Sequence, residues 1–277
     1  MPGATGVLAW LAPRAVPRIE AVLPSQGGLA AYRRSLRGAA GPRVASAAVV
    51  VDEASTEDPD LARLFDLGGT AARAEADARL TWAAERHGAP ALARAVAAEP
   101  ALAQPGCADA HEMLVRAIVG QQITVAAATL QLGLLSAAGD PLPEALVEDG
   151  IDRLFPTMAQ VASGADLLRG PAAKTAAVRR AAEVVASGAI EVAPGADLAR
   201  MRAELQALKG IGPWTVGYLS LRLGDPDVLL LGDVAVRKGA RHLGIDDLPA
   251  LAADCAGHRS ALMLRCWAAA AAPPPAA

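Results

Sequence analysis

From about Pro59 onward the chain is composed mainly of helix-favouring residues. Its glycines and prolines mostly fall between apolar-periodic segments rather than inside them, so packed helices dominate any fold it can adopt. Alanine supplies much of the 53% of residues that are hydrophobic, and alanine is the best helix former. Residues 1 to about 75 differ, because glycine and proline there separate short apolar stretches such as 43–51, which ends in Val49-Val50-Val51. The fold class expected is therefore mainly α with an N-terminal α+β domain. At 277 residues the chain exceeds the usual domain size of about 100–150 residues, so two or three units are expected. The closing residues Pro273 to Ala277 read as a frayed tail.

No run of 18 apolar residues occurs, and the start lacks a charged, then apolar, then cleavable leader, so a soluble cytoplasmic protein is expected. Cys107, Cys255 and Cys266 have neither the pairing of a disulfide framework nor the spacing of a zinc or iron-sulfur site. Reduced thiols, with no metal and no cofactor, are the expectation. Net charge is −3, which taken whole argues against a nucleic-acid partner. Between residues 200 and 241, however, seven basic residues (Arg200, Arg202, Lys209, Arg222, Arg237, Lys238, Arg241) face four acidic ones, which leaves room for a local basic face.

Helix boundaries are well marked in the middle of the chain. Asp109 followed by Glu112 resembles a capping box, and Met113, Leu114, Ala117 and Ile118 then share one face until Gly120. Thr124 starts another helix, so Gln121 and Gln122 are expected to project from a tight corner. Asp197 caps a helix carrying Leu198, Met201, Leu205 and Leu208. Pro213 suits the first position of the next, with Trp214, Tyr218 and Leu221, ending near Gly224. After the apolar connection 228–231, Asp233 stands at the N-terminus of a helix running to Leu243-Gly244.

The hairpin Leu208-Lys209-Gly210-Ile211-Gly212-Pro213-Trp214-Thr215 is the most informative stretch. Gly210 and Gly212 let another backbone come close, and the amides opening the next helix form an anion site suited to a DNA phosphate. A Gly-x-Gly turn alone is common. Here it precedes Asp233 by about twenty residues, across one helix and one apolar connection. The segment from Leu208 to Arg237, ending Gly232-Asp233-Val234-Ala235-Val236-Arg237, resembles the hairpin and catalytic aspartate of the helix-hairpin-helix DNA glycosylase superfamily, most closely the AlkA-like 3-methyladenine DNA glycosylases II. The stretches 104–110 and 115–121 resemble a second block of that family, and 10–16 and 63–67 resemble its N-terminal domain.

The resemblance implies three parts: a mixed domain over 1–75, a helical domain over 101–225 carrying the hairpin, and a second helical domain from 76–100 and 226–277 that completes a cleft. It implies a monofunctional hydrolase that excises alkylated bases from double-stranded DNA, with Asp233 stabilising positive charge on the sugar. An aspartate before a helix is usually only a cap. The same helix N-terminus also favours the carboxylate anion. Relatives that cleave the backbone carry a lysine where this chain has Trp214, and an indole cannot form the Schiff base. Trp10, Trp214, Tyr218 and Trp267 match the family's base-pocket positions, where aromatic faces attract cationic alkylated purines. Gln122 matches the residue that fills the gap left by an extruded base. Gln122, Gly210, Gly212 and Thr215 are the expected DNA contacts.

Departures from the family include Gly232 where relatives commonly have the first of two adjacent acids, Val234 where some have an aromatic, and Cys255 to Ala261 in place of a segment richer in tryptophan and tyrosine. Two other readings stand beside the enzyme. One is a non-catalytic helix-hairpin-helix protein that binds lesions, against which Asp233 argues. The other is a regulator of the alkylation response, for which this sequence has no cysteine-rich metal segment. Nothing in the sequence requires more than a monomer.

Overall fold

The computed structural model describes residues 3–26, 29–50 and 53–271. Val51 and the tail Pro273 to Ala277 lie outside them. Helix α1 (Gly3–Leu11) runs into a short 3-10 turn, Ala12–Arg14, and then into an antiparallel meander of β1 (Glu20–Gln26), β2 (Leu29–Gly38), β3 (Gly41–Val50) and β4 (Glu53–Ser55), paired in that order. Alternation along β3 buries Ala45, Ala47 and Val49 on one face, as a half-buried strand requires. Those residues pack with Val7 and Leu11 of α1 and with Leu61 and Leu64 of α2 (Pro59–Leu64) to form a first core.

Helices α3 (Thr70–Arg86) and α4 (Pro90–Ala98) follow, and they do not pack on the next helices in sequence. A second core is built around α5 (Ala110–Val119), α6 (Val125–Leu135), α7 (Met158–Gly164), α8 (Ala172–Ala186), α9 (Leu198–Gln206) and α10 (Pro213–Arg222), through Met113, Ile118, Leu135, Val178, Met201 and Leu219. The chain then returns to α3 and α4. Helices α11 (Val234–His242), α12 (Leu248–Asp254) and α13 (Arg259–Ala271) bury Val236, Leu251 and Met263 against Leu80 and Leu92 in a third core. Helix α10 bridges two cores, with Leu219 in one and Leu221 in the other.

Caps fix these boundaries. Asp109, Thr124, Asp197 and Asp233 each accept a backbone amide in the first turn of the helix that follows. The capping box expected at Asp109 is only half formed. Glu112 turns its carboxylate away to a buried network with Arg34 of β2 and Arg116, which also binds Glu20. Tyr32 donates its hydroxyl to Glu20, so two carboxylates and two guanidiniums join the sheet to α5. A second constraint is the crossing of α11 over α13. A Cβ on Gly239 would lie 1.7 Å from the Cys266 carbonyl oxygen, so only glycine allows this approach.

Candidate active site

The turn between α9 and α10 is held from below. Gly210 has φ of +96°, and a Cβ there would meet the Cβ of Ala177 on α8 at 2.8 Å. Gly212 faces open space, and Pro213 opens α10. Gln121, at the end of α5, donates through Nε2 to the Gly210 carbonyl at 3.2 Å and to Thr215 Oγ1 at 2.6 Å. Lys174 closes the arrangement by donating to the carbonyls of Val119 and Gln121. Two expectations change here. Gln121 does not project from the corner but joins it to the hairpin, and Thr215, 1% exposed with its hydroxyl engaged, supports the turn instead of meeting a ligand. Gln122 is the residue that projects. It is exposed with φ of +59°, a left-handed conformation that non-glycine residues adopt at a cost and that concentrates at functional turns.

Asp233 caps α11, its Oδ1 accepting the Val236 amide at 2.9 Å. Two indoles hold the same carboxylate. Trp214 Nε1 donates to Oδ2 at 2.8 Å, and Trp267 Nε1 to Oδ1 at 3.3 Å. Trp214 stacks on Tyr218 with centroids 5.2 Å apart and planes at 12°, and Tyr218 meets Trp267 at 6.1 Å. These residues, with Trp10, line one cavity of about 730 Å³, within the size range of small-molecule sites. Ile123, beside Gln122, and Val234, 72% exposed next to Asp233, also line it.

The inner wall holds what the sequence reading missed. Arg14 and Arg222 place their guanidiniums over the Trp10 ring, 4.2 and 4.1 Å from its centroid. Trp10 therefore lines the cavity while two guanidiniums already lie over its ring. Arg222 is 4% exposed, donates Nη2 to the Gly106 carbonyl and leaves Nε without a partner. Burial lowers the pKa of both arginines, while Tyr218 favours their charged forms. The signal was present in the spacing: 214, 218 and 222 share one face of α10, and Arg14 follows Trp10 by four.

Part of the basic count over 200–241 is engaged within the protein. Arg200 pairs with Glu204, Arg202 with Asp225, Arg222 is buried, and Lys238 Nζ donates to the Ala270 carbonyl. Lys209, Arg237, Lys238 and Arg241 are exposed and have no carboxylate partner among the described residues. A second cavity, of about 530 Å³, shares Leu102, Cys107, Arg222 and Leu264 with the first.

A hairpin joining two helices, followed by a capping aspartate on a cleft, defines the helix-hairpin-helix DNA glycosylase architecture. The chain superposes with a TM-score of 0.66 on a 3-methyladenine DNA-glycosylase from Archaeoglobus fulgidus, over 96% of this chain and 94% of that one at 18% identity. Its sequence is similar to that of AlkA proteins. It is 32% identical over 255 residues, 87% of its own length and 48% of its relative's, to the Mycobacterium tuberculosis protein named "Probable bifunctional transcriptional activator/DNA repair enzyme AlkA". It is 33% identical over 157 residues, 53% of each chain, to DNA-3-methyladenine glycosylase 2 of Escherichia coli. The chain thus spans about half the length of the curated relatives it matches. No family model matches it. Among the described residues no helix is long and apolar enough to cross a membrane.

Proposed function

We propose that this chain is a monofunctional DNA glycosylase of the 3-methyladenine glycosylase II type, which hydrolyses the bond between an alkylated base and deoxyribose in duplex DNA. The observation that carries the reading is the carboxylate of Asp233, held between two indole N–H groups beside an aromatic cavity. Breaking the glycosidic bond develops positive charge on the sugar, and a carboxylate fixed in advance stabilises that charge without having to reorganise. Water is the nucleophile. Trp214 offers no amine, so no Schiff base to the sugar forms.

A base must leave the duplex to enter such a cavity. In this reading Gln122 and Ile123, at the exposed corner, fill the vacated stack, and Gly210 and Gly212 bring backbone close to a phosphate. Incubation of methylated duplex DNA with the wild type and with Asp233→Asn, counting released bases, tests the proposal. Release by the wild type and loss in the variant supports it. Binding of damaged DNA without release points to a lesion-binding module, and a borohydride-trapped adduct contradicts the hydrolytic mechanism.

A further inference from the structure

Helix α13 ends against α11, and its final turn is capped by that neighbour. The final carbonyls of a helix have no amide partner within it, and α13 carries no basic residue of its own in its last turn. Helix α11 supplies donors instead. Lys238 Nζ donates to the Ala270 carbonyl at 2.8 Å, and His242 Nδ1 donates to the Ala269 carbonyl at 2.9 Å. A carbonyl only accepts, so the second contact requires the proton on Nδ1 of the imidazole. Gly239 lets the two helices touch at the Cys266 carbonyl. Residues 238, 239 and 242 share one face of α11, and 266, 269 and 270 share one face of α13, so these contacts lie along a single seam.

What the seam holds together is the carboxylate and one of its donors. Asp233 caps the start of α11, and Trp267 belongs to α13, just before the carbonyls that Lys238 and His242 receive. The hydrogen bond from Trp267 Nε1 to Asp233 Oδ1, at 3.3 Å, is the longer of the two indole contacts, so a small retreat of α13 breaks it first. Helix ends fray, and Trp267 stands where the last turn of α13 begins. Lys238 lines the cavity together with Ala270 and Ala271, but its ammonium is turned to backbone rather than to a carboxylate.

We infer that Lys238 and His242 are positioning residues, which fasten the end of α13 so that the Trp267 indole stays on the Asp233 carboxylate. The inference rests on the glycosylase reading above. The competing role for Lys238 is a phosphate contact, the ordinary use of an exposed lysine on a DNA-binding protein. The two roles differ in what their loss removes. A phosphate contact contributes to affinity and to its salt dependence, whereas a positioning contact contributes to the rate at saturating DNA. Single-turnover excision from methylated duplex DNA is measured for Lys238→Met, Lys238→Arg, His242→Leu and His242→Asn, and for the methionine and leucine changes combined with Trp267→Phe. Indole N–H resonances of the nitrogen-15-labelled free protein are recorded beside it, with Trp267→Phe assigning its own signal. Lys238 is exposed and tolerates substitution, so it decides the matter if His242→Leu does not fold.

The expected result is that Lys238→Met and His242→Leu each slow excision about tenfold with DNA affinity unchanged, since a small misplacement of a reacting group is enough. Lys238→Arg and His242→Asn keep a donor and recover most of the rate. In the Trp267→Phe background neither loss variant has a further effect, because the contact it served is already gone. The Trp267 resonance shifts in both loss variants, and that of Trp82, on α3, does not. Unchanged excision with weaker, less salt-dependent binding makes Lys238 a phosphate contact and overturns the inference. So does a rate loss that persists in Trp267→Phe, or a Trp267 resonance that stays in place. If the wild type releases no base, the glycosylase reading fails, and the resonances alone decide whether the seam holds the indole.

Discussion

Asp233 combines a structural and a chemical role, and the two are separable by substitution. As a cap it satisfies the Val236 amide, a contribution of about 1 kcal/mol that asparagine retains and alanine removes. As a charge it faces the cavity. Asp233→Asn is therefore expected to melt close to the wild type while excision falls about 100- to 1,000-fold, the usual loss when a group aimed at transition-state charge is removed. Trp214 offers a finer test. Phenylalanine there keeps an aromatic face for Tyr218 but loses the 2.8 Å hydrogen bond to Oδ2, a bond to a charged acceptor worth about 1.5–3 kcal/mol. Trp214→Phe should slow single-turnover excision about 10- to 100-fold with little change in DNA affinity. An unchanged rate would mean that the indole does not hold the carboxylate in the reactive complex. At this scale the hairpin and a helix start singled out Asp233, Trp214 and Tyr218, and the resemblance singled out Trp10 and Trp267; the structure brings all five to one cavity. Arg14 and Arg222 were not singled out, because a sequence shows an arginine's charge but not whether a carboxylate waits for it.

At the scale of elements, caps and breakers were read directly: Thr124, Asp197, Pro213 and Asp233 start helices by satisfying or lacking an amide, which is a local matter. Tertiary competition defeated local rules elsewhere. Glu112 leaves its cap for two buried guanidiniums, and Gln121 turns inward because the Gly210 carbonyl and the Thr215 hydroxyl lie within its reach. The crossing of α11 and α13 was equally hidden, although it fixes Asp233 against Trp267. Gly239→Ala sets two effects against each other. Helix propensity favours alanine by up to about 1 kcal/mol, but the new Cβ meets a backbone oxygen that no side-chain rotation can remove. The clash wins, and an overall destabilisation of about 1–3 kcal/mol is expected in urea denaturation. Excision should fall as well, since separating the helices draws Trp267 away from Asp233 Oδ1. A variant as stable and active as the wild type would show that the crossing tolerates more than its geometry suggests.

At the scale of the whole molecule, periodicity identified buried faces but could not say which faces meet, so the return of α11 to α13 onto α3 and α4 came from resemblance rather than from residue pattern. What ties the sheet to α5 is the charge network around Glu20, and it makes stability depend on pH. Burial pushes the Glu20 carboxyl up, but Arg116, Arg34, the Tyr32 hydroxyl and the Val16 amide together outweigh burial and hold it at about 2, below the ordinary 4.5. Because the folded value is depressed, this contribution is fully present above about pH 4.5 and is lost as pH falls towards 2. Glu20→Gln leaves Arg116 and Arg34 short of a buried counter-charge, so the variant should be less stable at pH 7 by roughly 3–5 kcal/mol. It should also lose less further stability than the wild type between pH 4.5 and 2.5, because the group that takes up the proton is gone. Urea midpoints for both proteins at several pH values across that interval provide the measurement. Parallel slopes would mean that Glu20 does not drive the acid transition and that the exposed carboxylates do.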